Sequence, residues 1–350
     1  MEVVRDAPAT PDEIRRLIES DFDSLLGRAY AVKKSLFSNR VALRGLVEFS
    51  NTCSKNCFYC GIRRGNANVA RYRMSEDEIV EAAAWAEANG YGSVVLQSGE
   101  IQSEENTAFV ERVLEHLHGR FGDSFGVTLS LGEQSRETYS RWRKAGAHRY
   151  LLRIETSNPS LYAKLHPEDH SWSARRDCLH ALKDIGYVVG TGVMIGLPGQ
   201  TTADLANDIR FFMDEDIDMV GMGPFIPTPG TPLGAAEDAT AAQRRLELAL
   251  RMIAATRICL GNVNIAAATA LQAIDPEGRE KGILAGANVV MPNVTPRKYR
   301  QSYALYPGKP CTGEDSENCR GCLARRIASI GEEIAWGERA DPPHFKERTK

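Results

Sequence analysis

Eight times between residues 41 and 291 the chain passes from a short, strand-like apolar run into a stretch with helical patterning. The runs fall at 41–49, 93–96, 126–131, 149–154, 187–195, 218–222, 263–267 and 288–291. Parallel strands need a crossover of a dozen or more residues, and a helix supplies it. The alternation therefore builds a parallel sheet with helices packed on it. Eight units predict an α/β fold, a complete (βα)8 TIM-type barrel, since an open doubly wound sheet more often stops at five or six strands.

Helix ends are marked in the same way. Ser75-Glu76-Asp77-Glu78 reads as a capping box, and Gly90 and Gly186 read as stops. Thr10-Pro11-Asp12-Glu13 opens a helix over 11–36, with Ile14, Leu17, Ile18, Phe22, Leu25 and Leu26 at helical spacing. Three regions follow: a helical extension at 1–40, the barrel at 41–295, and a C-terminal extension at 296–350 that closes the barrel. The charged stretch 339–350 is expected to fray.

A length of 350 residues suits one such barrel with extensions. The net charge of −3 leaves no basic footprint for nucleic acid. No apolar run approaches the ~20 residues that span a bilayer, and the first residues carry no apolar signal core. The expected location is the cytoplasm. Clustered cysteines in that compartment point to metal rather than disulfides. Of the eight cysteines, Cys178 and Cys259 lie in apolar helical context and are expected to be buried and inert.

Three of the others fall within eight residues, Cys53-Ser54-Lys55-Asn56-Cys57-Phe58-Tyr59-Cys60, directly after the first strand. Soft thiolates select zinc, copper(I) or iron–sulfur clusters. Structural zinc takes four protein ligands, and the nearest downstream histidine is distant His116. A cubane cluster held by three cysteines keeps one iron open for a small molecule. Zinc and a disulfide stand as alternatives. A second trio, Cys311, Cys319 and Cys322, lies in a Gly- and acid-rich segment and admits a peripheral cluster, zinc or no metal.

Barrel chemistry sits at the C-terminal ends of the strands. Those ends here carry Gln97-Ser98-Gly99-Glu100, Ser130-Leu131-Gly132-Glu133, Arg153-Ile154-Glu155-Thr156, the turn Gly196-Leu197-Pro198-Gly199, and Met291. Small residues, hydroxyls, carboxylates and an arginine suit a zwitterionic small molecule. Each has a plainer reading: Gly99 and Gly132 as turn residues, Glu100 and Glu133 as first-turn helix acids, Arg153 with Glu155 as a structural ion pair on one strand face.

Cys53-x-x-x-Cys57-x-Tyr59-Cys60 resembles the signature of the radical S-adenosylmethionine (SAM) superfamily. Longer phrases resemble the HydE family of [FeFe]-hydrogenase maturases within it. They include Arg71-Tyr72-Arg73-Met74, Leu96-Gln97-Ser98-Gly99-Glu100, Thr128-Leu129-Ser130-Leu131-Gly132-Glu133, Gly223-Pro224-Phe225-Ile226-Pro227 and Tyr306-Pro307-Gly308-Lys309. The resemblance implies that Cys53, Cys57 and Cys60 ligate a [4Fe–4S] cluster whose open iron takes SAM. Tyr59, Glu100, Ser130, Glu155, Arg175 and Met194 would form the SAM site. Ser98, Thr128, Arg153, Thr269, Met291, Tyr303 and Tyr306 would line the substrate cavity. Cys311, Cys319 and Cys322 match a peripheral [2Fe–2S] trio found in part of the family.

The implied activity is hydrogenase active-site (H-cluster) assembly. Reductive SAM cleavage yields a 5′-deoxyadenosyl radical, which attacks the cysteine sulfur of a small iron complex bearing CO, cyanide and cysteine. Implied partners are an electron donor such as ferredoxin or flavodoxin and the other hydrogenase maturases, HydG and HydF. Ile154 stands where the family pattern has histidine. Strand alternation turns it away from Arg153 and Glu155, so packing is expected to absorb it. Related readings are 3-methylornithine synthase and biotin synthase, and a reading from another class is an iron–sulfur electron-transfer or scaffold protein.

Overall fold

A computed structural model describes residues 10–235, 239–313 and 316–350. Eight strands form the wall of a closed barrel. They are β1 (Arg40–Leu43 continued by Gly45–Ser50), β2 (Ser93–Ser98), β3 (Gly126–Ser130), β4 (Arg149–Leu151), β5 (Val188–Thr191 continued by Met194–Ile195), β6 (Met219–Pro224), β7 (Asn264–Ala267) and β8 (Val289–Val290). Each neighbouring pair is parallel. Closure occurs at β1, which pairs Gly45 with Val94 on one edge and Ala42 with Val289 on the other. A bridge between Leu46 and Asn293 extends that second edge. The eight-unit barrel read from the sequence is the observed architecture.

The boundaries moved where one strand had to be cut. β1 breaks at Arg44, and β5 breaks before Met194. The 11–36 helix is two helices, Pro11–Ile18 and Phe22–Phe37, and Asp21 caps the second by accepting from Ser24 N. The first packs against the outer helices Thr202–Asp214 and Ala239–Leu260, and the second against Ala239–Leu260. Ser75 forms the capping box expected of it, and Thr10, read as a helix start, forms one as well. Five helices, Pro159–Leu165, Thr269–Ile274, Arg297–Arg300, Ser316–Ser329 and Pro343–Arg348, went unread in the sequence. Residues 1–9 of the N-terminal extension lie outside the described residues.

The 339–350 stretch does not fray. Glu333–Ile334 adds in parallel to the start of β1, and the chain then crosses the barrel floor. There Asp341 meets Arg149 at 2.5 Å, His148 at 3.0 Å and Arg339 at 3.2 Å. One helix later, His344 and Arg348 hold Asp218 at 3.0 and 2.7 Å. Buried partners at the strand starts tie down what composition marks as a loose tail. The opposite mouth is roofed by residues 303–309, with Tyr303, Leu305, Tyr306 and Lys309 facing the barrel interior.

Between these ends, Tyr139, Tyr150 and Tyr187 are fully buried and stack edge to face. Tyr139 accepts from Gln134 N at 2.9 Å, and Tyr150 donates to Gly132 O at 2.8 Å. Core packing thus braces the loop after β3, which carries Glu133. No helix among the described residues is long and apolar enough to cross a membrane.

Candidate active site

A cavity of about 330 Å³ opens at the C-terminal ends of the strands. Cys53, Cys57 and Cys60 line its mouth. Their loop is held by backbone bonds that its sequence makes available. Ser54 donates to Glu100 O through its amide at 2.8 Å and its hydroxyl at 2.9 Å. Phe58 N donates to Leu165 O at 2.9 Å, and Asn56 N donates to His170 Nε2 at 3.2 Å. The Arg71 guanidinium binds the carbonyls of Asn51, Ile62, Arg63 and Asn66. Gly99 lets the β2 loop pass, since a Cβ there would lie 2.2 Å from Thr52 O.

Burial pushes the Cys57 thiol up to about 12 and raises Cys53 and Cys60 as well. Glu100 N donates to Cys53 Sγ at 3.3 Å. Among the described residues, no three His, Cys, Asp or Glu side chains converge as ligands of a single metal ion. A cubane takes each thiolate on a separate iron, so its ligand sulfurs stand apart.

Two carboxylates and two cations sit beside the thiols. Lys55 Nζ lies 2.8 Å from Glu133 and 3.3 Å from Glu100. Arg175 Nε lies 2.7 Å from Glu133, with Nη2 3.8 Å from Glu100. Burial opposes ionisation of Glu133, but Arg175 and Lys55 overcome it and hold the group below its ordinary value. Burial, then the Glu133 charge, raises Glu100 against the pull of Lys55 and Arg175. Glu133 is therefore spent within the protein, while Glu100 is the acid that an incoming ammonium would relieve. Gly132 is more than a turn residue: it has φ 73°, and a Cβ would fall 2.1 Å from Glu100 Oε2.

Deeper in, Arg153 Nη2 stands 3.0 Å from Glu155 Oε2. Neither atom is aligned for a hydrogen bond, and Arg153 Nε is also buried without a partner. The pair meets by proximity alone and keeps capacity for a ligand, so the structural ion-pair reading accounts for it only in part. Ile154 is fully buried in the apolar core, as alternation requires. Tyr59 packs with Leu161, Leu165, Met194, Leu197 and Phe225 in a small apolar cluster at the mouth. The Gly196–Gly199 turn beside it is held by Gln200, whose side chain accepts from Gly196 N and donates to Met194 O.

Ser98, Ser130, Thr269, Met291, Tyr303 and Tyr306 all line the same cavity. The Thr269 and Tyr306 hydroxyls lie 2.6 Å apart, and Gln97 Nε2 donates to the Tyr303 hydroxyl at 3.2 Å. Thr128 is the exception. It points inward one layer lower, into a separate space of about 20 Å³ shared with Arg44, Val95 and Met219. Its register partners are Val95 and Arg149, whereas Ser130 pairs with Gln97 two steps higher.

Several lining residues escaped the sequence reading. Lys55 sits between two cysteines, which was its signal. Glu48 was legible as a lone acid within an apolar strand. Lys309 pairs with Glu48 in the barrel, and Asn293 Nδ2 donates to the same carboxylate at 2.9 Å. Nothing local marks Lys309, because its partner lies 261 positions away.

Cys311 and Cys319 bring their thiols together, and Cys311 and Cys322 both act on Arg326. These three lie outside the cavity lining. Cys259 is buried as expected, while Cys178 is half-buried with its thiol 3.8 Å from Gln134 O.

A parallel barrel carrying a three-cysteine loop at its mouth, with a charged cavity beneath it, defines a class. Residues 47–212 match the Radical SAM superfamily. Over 320 residues the chain is 46% identical to the [FeFe] hydrogenase maturase subunit HydE of Thermotoga maritima, covering 91% of this chain and 89% of that protein. The chain belongs to the HydE family of radical SAM enzymes. It is also 29% identical to the 3-methylornithine synthase of Methanosarcina acetivorans, over 80% of this chain and 78% of that one. A crystal structure of methylornithine synthase shares the fold with a TM-score of 0.80 at 24% identity, covering 96% of this chain and 97% of that one.

The superfamily implies a [4Fe–4S] cluster and SAM. The residues present fit both. Three thiols line one mouth, burial and the Glu133 charge raise Glu100 in spite of Lys55 and Arg175 beside it, and buried Arg153 and Glu155 atoms lack hydrogen-bond partners.

Proposed function

We propose that this chain is a maturase for [FeFe]-hydrogenase that acts on a small organometallic precursor inside its barrel. The observation that carries the reading is the extent of its identity to a HydE protein, 46% across nine-tenths of the chain. The cavity inside the barrel supports it, because a reactive iron complex needs shielding from solvent.

When bound on Cys53, Cys57 and Cys60, a [4Fe–4S] cluster supplies the electron that cleaves SAM to a 5′-deoxyadenosyl radical. The protein's own part is to bind, orient and exclude water. Glu100 takes the SAM ammonium, while Lys55 and Arg175 keep Glu133 ionised beside it. Ser130 and Arg175 face the methionine carboxylate, and Glu155 accepts from the ribose hydroxyls. Tyr59 and Met194 present apolar surface to the adenine. Arg153 anchors the substrate's anionic end, and Ser98, Thr269 and Met291 complete its lining. Tyr303 and Tyr306 close the roof through their bonds to Gln97 and Thr269. The substrate in this reading is an iron complex with CO, cyanide and a cysteine ligand, and its cysteine sulfur is the site of radical attack.

Three further assignments belong to the proposal. Cys311, Cys319 and Cys322 hold a second, [2Fe–2S], cluster. The enzyme works in the cytoplasm, reduced by a ferredoxin or flavodoxin. It acts alongside the other hydrogenase maturases, HydG and HydF.

Co-expression tests the proposal. Hydrogenase produced with HydG and HydF but without this chain should be inactive, and adding the chain should restore hydrogen evolution. The Cys57→Ala variant should not restore it. Restoration by that variant, or no restoration by the wild type, overturns the reading. A lysine-derived product formed with SAM and reductant would instead identify the synthase activity of the 29% relative.

A further inference from the structure

Glu155 has φ 68°, a left-handed conformation that a non-glycine residue adopts only when its surroundings impose it. Two sets of contacts do so. On the barrel side Glu155 N donates to Gly192 O, and Glu155 O accepts from Met194 N, both at 3.0 Å. On the outer side the next residues are tied down one by one. Trp172 Nε1 donates to Thr156 O at 3.0 Å, Ser157 N donates to Asp208 Oδ1 at 2.6 Å, and Asn158 Nδ2 donates to Asp204 Oδ1 at 2.8 Å.

Asp208 is the unusual member of that set. It is fully buried on the helix Thr202–Asp214, and its Oδ2 has no hydrogen-bond partner. Among the described residues no cation pairs with it. The groups facing it are Thr156 and Ser157 from the loop, and Asp204 one turn earlier on its own helix. Asp204 is itself held by Asn158 and Thr201 and feels Lys164. An unpaired buried acid costs stability, and a neutral amide of the same shape would bind the Ser157 N–H without that cost. A loop fastening alone gives no reason for a carboxylate at this position.

We propose that Asp208 is a positioning residue of the cofactor site: by taking the Ser157 amide it holds the left-handed turn that aims Glu155 into the cavity, and its ionisation tightens that hold. The proposal rests on the reading of Glu155 as a SAM ligand. An ionised acceptor binds an amide more strongly than a neutral one. Burial pushes Asp208 up to about 7, so its ionisation falls within the working range. The sign follows from linkage. A folded value above the unfolded one means that stability falls as pH rises toward 7, while the turn becomes better held. SAM affinity and thermal stability should therefore run in opposite directions with pH. Linkage also requires that SAM binding favour proton release from Asp208.

The test is SAM binding by the reconstituted holoenzyme, measured calorimetrically from pH 6 to 8.5 alongside thermal unfolding. Wild-type affinity should rise about fivefold or more with a midpoint near 7. Asp208→Asn should melt higher than the wild type at pH 8, yet bind SAM more weakly there and lose the step near 7. Because that variant keeps Glu100 and the nearby histidines, only Asp208 can account for a missing step. Asp208→Ala should bind more weakly still, at unchanged iron content. An Asp208→Asn enzyme that follows the wild-type pH curve overturns the inference. Failure of the wild type to bind SAM at any pH overturns the cofactor reading, and the inference with it.

Discussion

Replacing Cys57 with alanine is expected to cut 5′-deoxyadenosine formation from SAM by about 10³-fold or more, since catalytic groups that act as a unit fail as a unit. Cys57 lies in the middle of the three-thiol loop, and its thiol faces the cavity. With two thiols left, the loop cannot hold a cubane through three irons. No substitute is in place: among the described residues no other cysteine and no histidine lines the cavity. Anaerobic incubation with SAM and a strong reductant, followed by chromatography, gives the measurement. Iron and sulfide analysis should show the loss of close to one cubane per chain. The fold should survive, because the loop is half-buried and fastened through backbone groups and Arg71 rather than through its sulfurs. Deoxyadenosine formed at the wild-type rate would sink the assignment of Cys57, whatever the iron content.

Removing the Asp341 carboxylate should cost about 3–5 kcal/mol at neutral pH, the range for breaking a buried ion pair from one side. Arg149 is fully buried at the barrel floor, and its Nε and Nη1 have no hydrogen-bond partner. Arg44 is buried nearby, and burial followed by the Arg149 charge pushes its guanidinium down. Asp341 is the acid that answers this group, and it also binds His148 and Arg339. Asp341→Ala would leave these cations uncompensated and release the tail that seals the floor. Urea unfolding should register the loss in the midpoint. The pH dependence gives a second check. Although burial works against it, the His148 hydrogen bond and the Arg149 charge hold Asp341 well below the usual carboxylate range. Its stabilisation is complete above the unfolded value of ~3.9 and fades as pH falls toward the folded one. The gap between wild type and variant should therefore narrow below about pH 4. Equal stability at pH 7 would contradict the floor-seal account.

Much of this molecule could be read along the chain. Every strand of the barrel overlaps a run marked in the sequence, and Ile154 buried itself as alternation requires. Of the residues expected around the cofactor and substrate, all but Thr128 line one cavity. The misreadings share a cause. The tail at 339–350 looked loose because its charges find partners at Arg149 and Asp218, far away in sequence. Lys309 carried no mark because Glu48 lies 261 positions away in sequence. Asp208 carried no mark in the sequence, and only the packing of its helix against the loop after β4 buried it.

The sequence by itself determined the eight-unit count, the loop that carries three thiols, and which residues stand at strand ends. Those are local properties, set by periodicity and spacing over a dozen residues at a time. Tertiary structure alone decided depth and pairing. Thr128 and Ser130 share a strand and a face, yet they fall in different layers. Layer depth depends on the stagger of all eight strands at closure, and no single strand encodes that stagger.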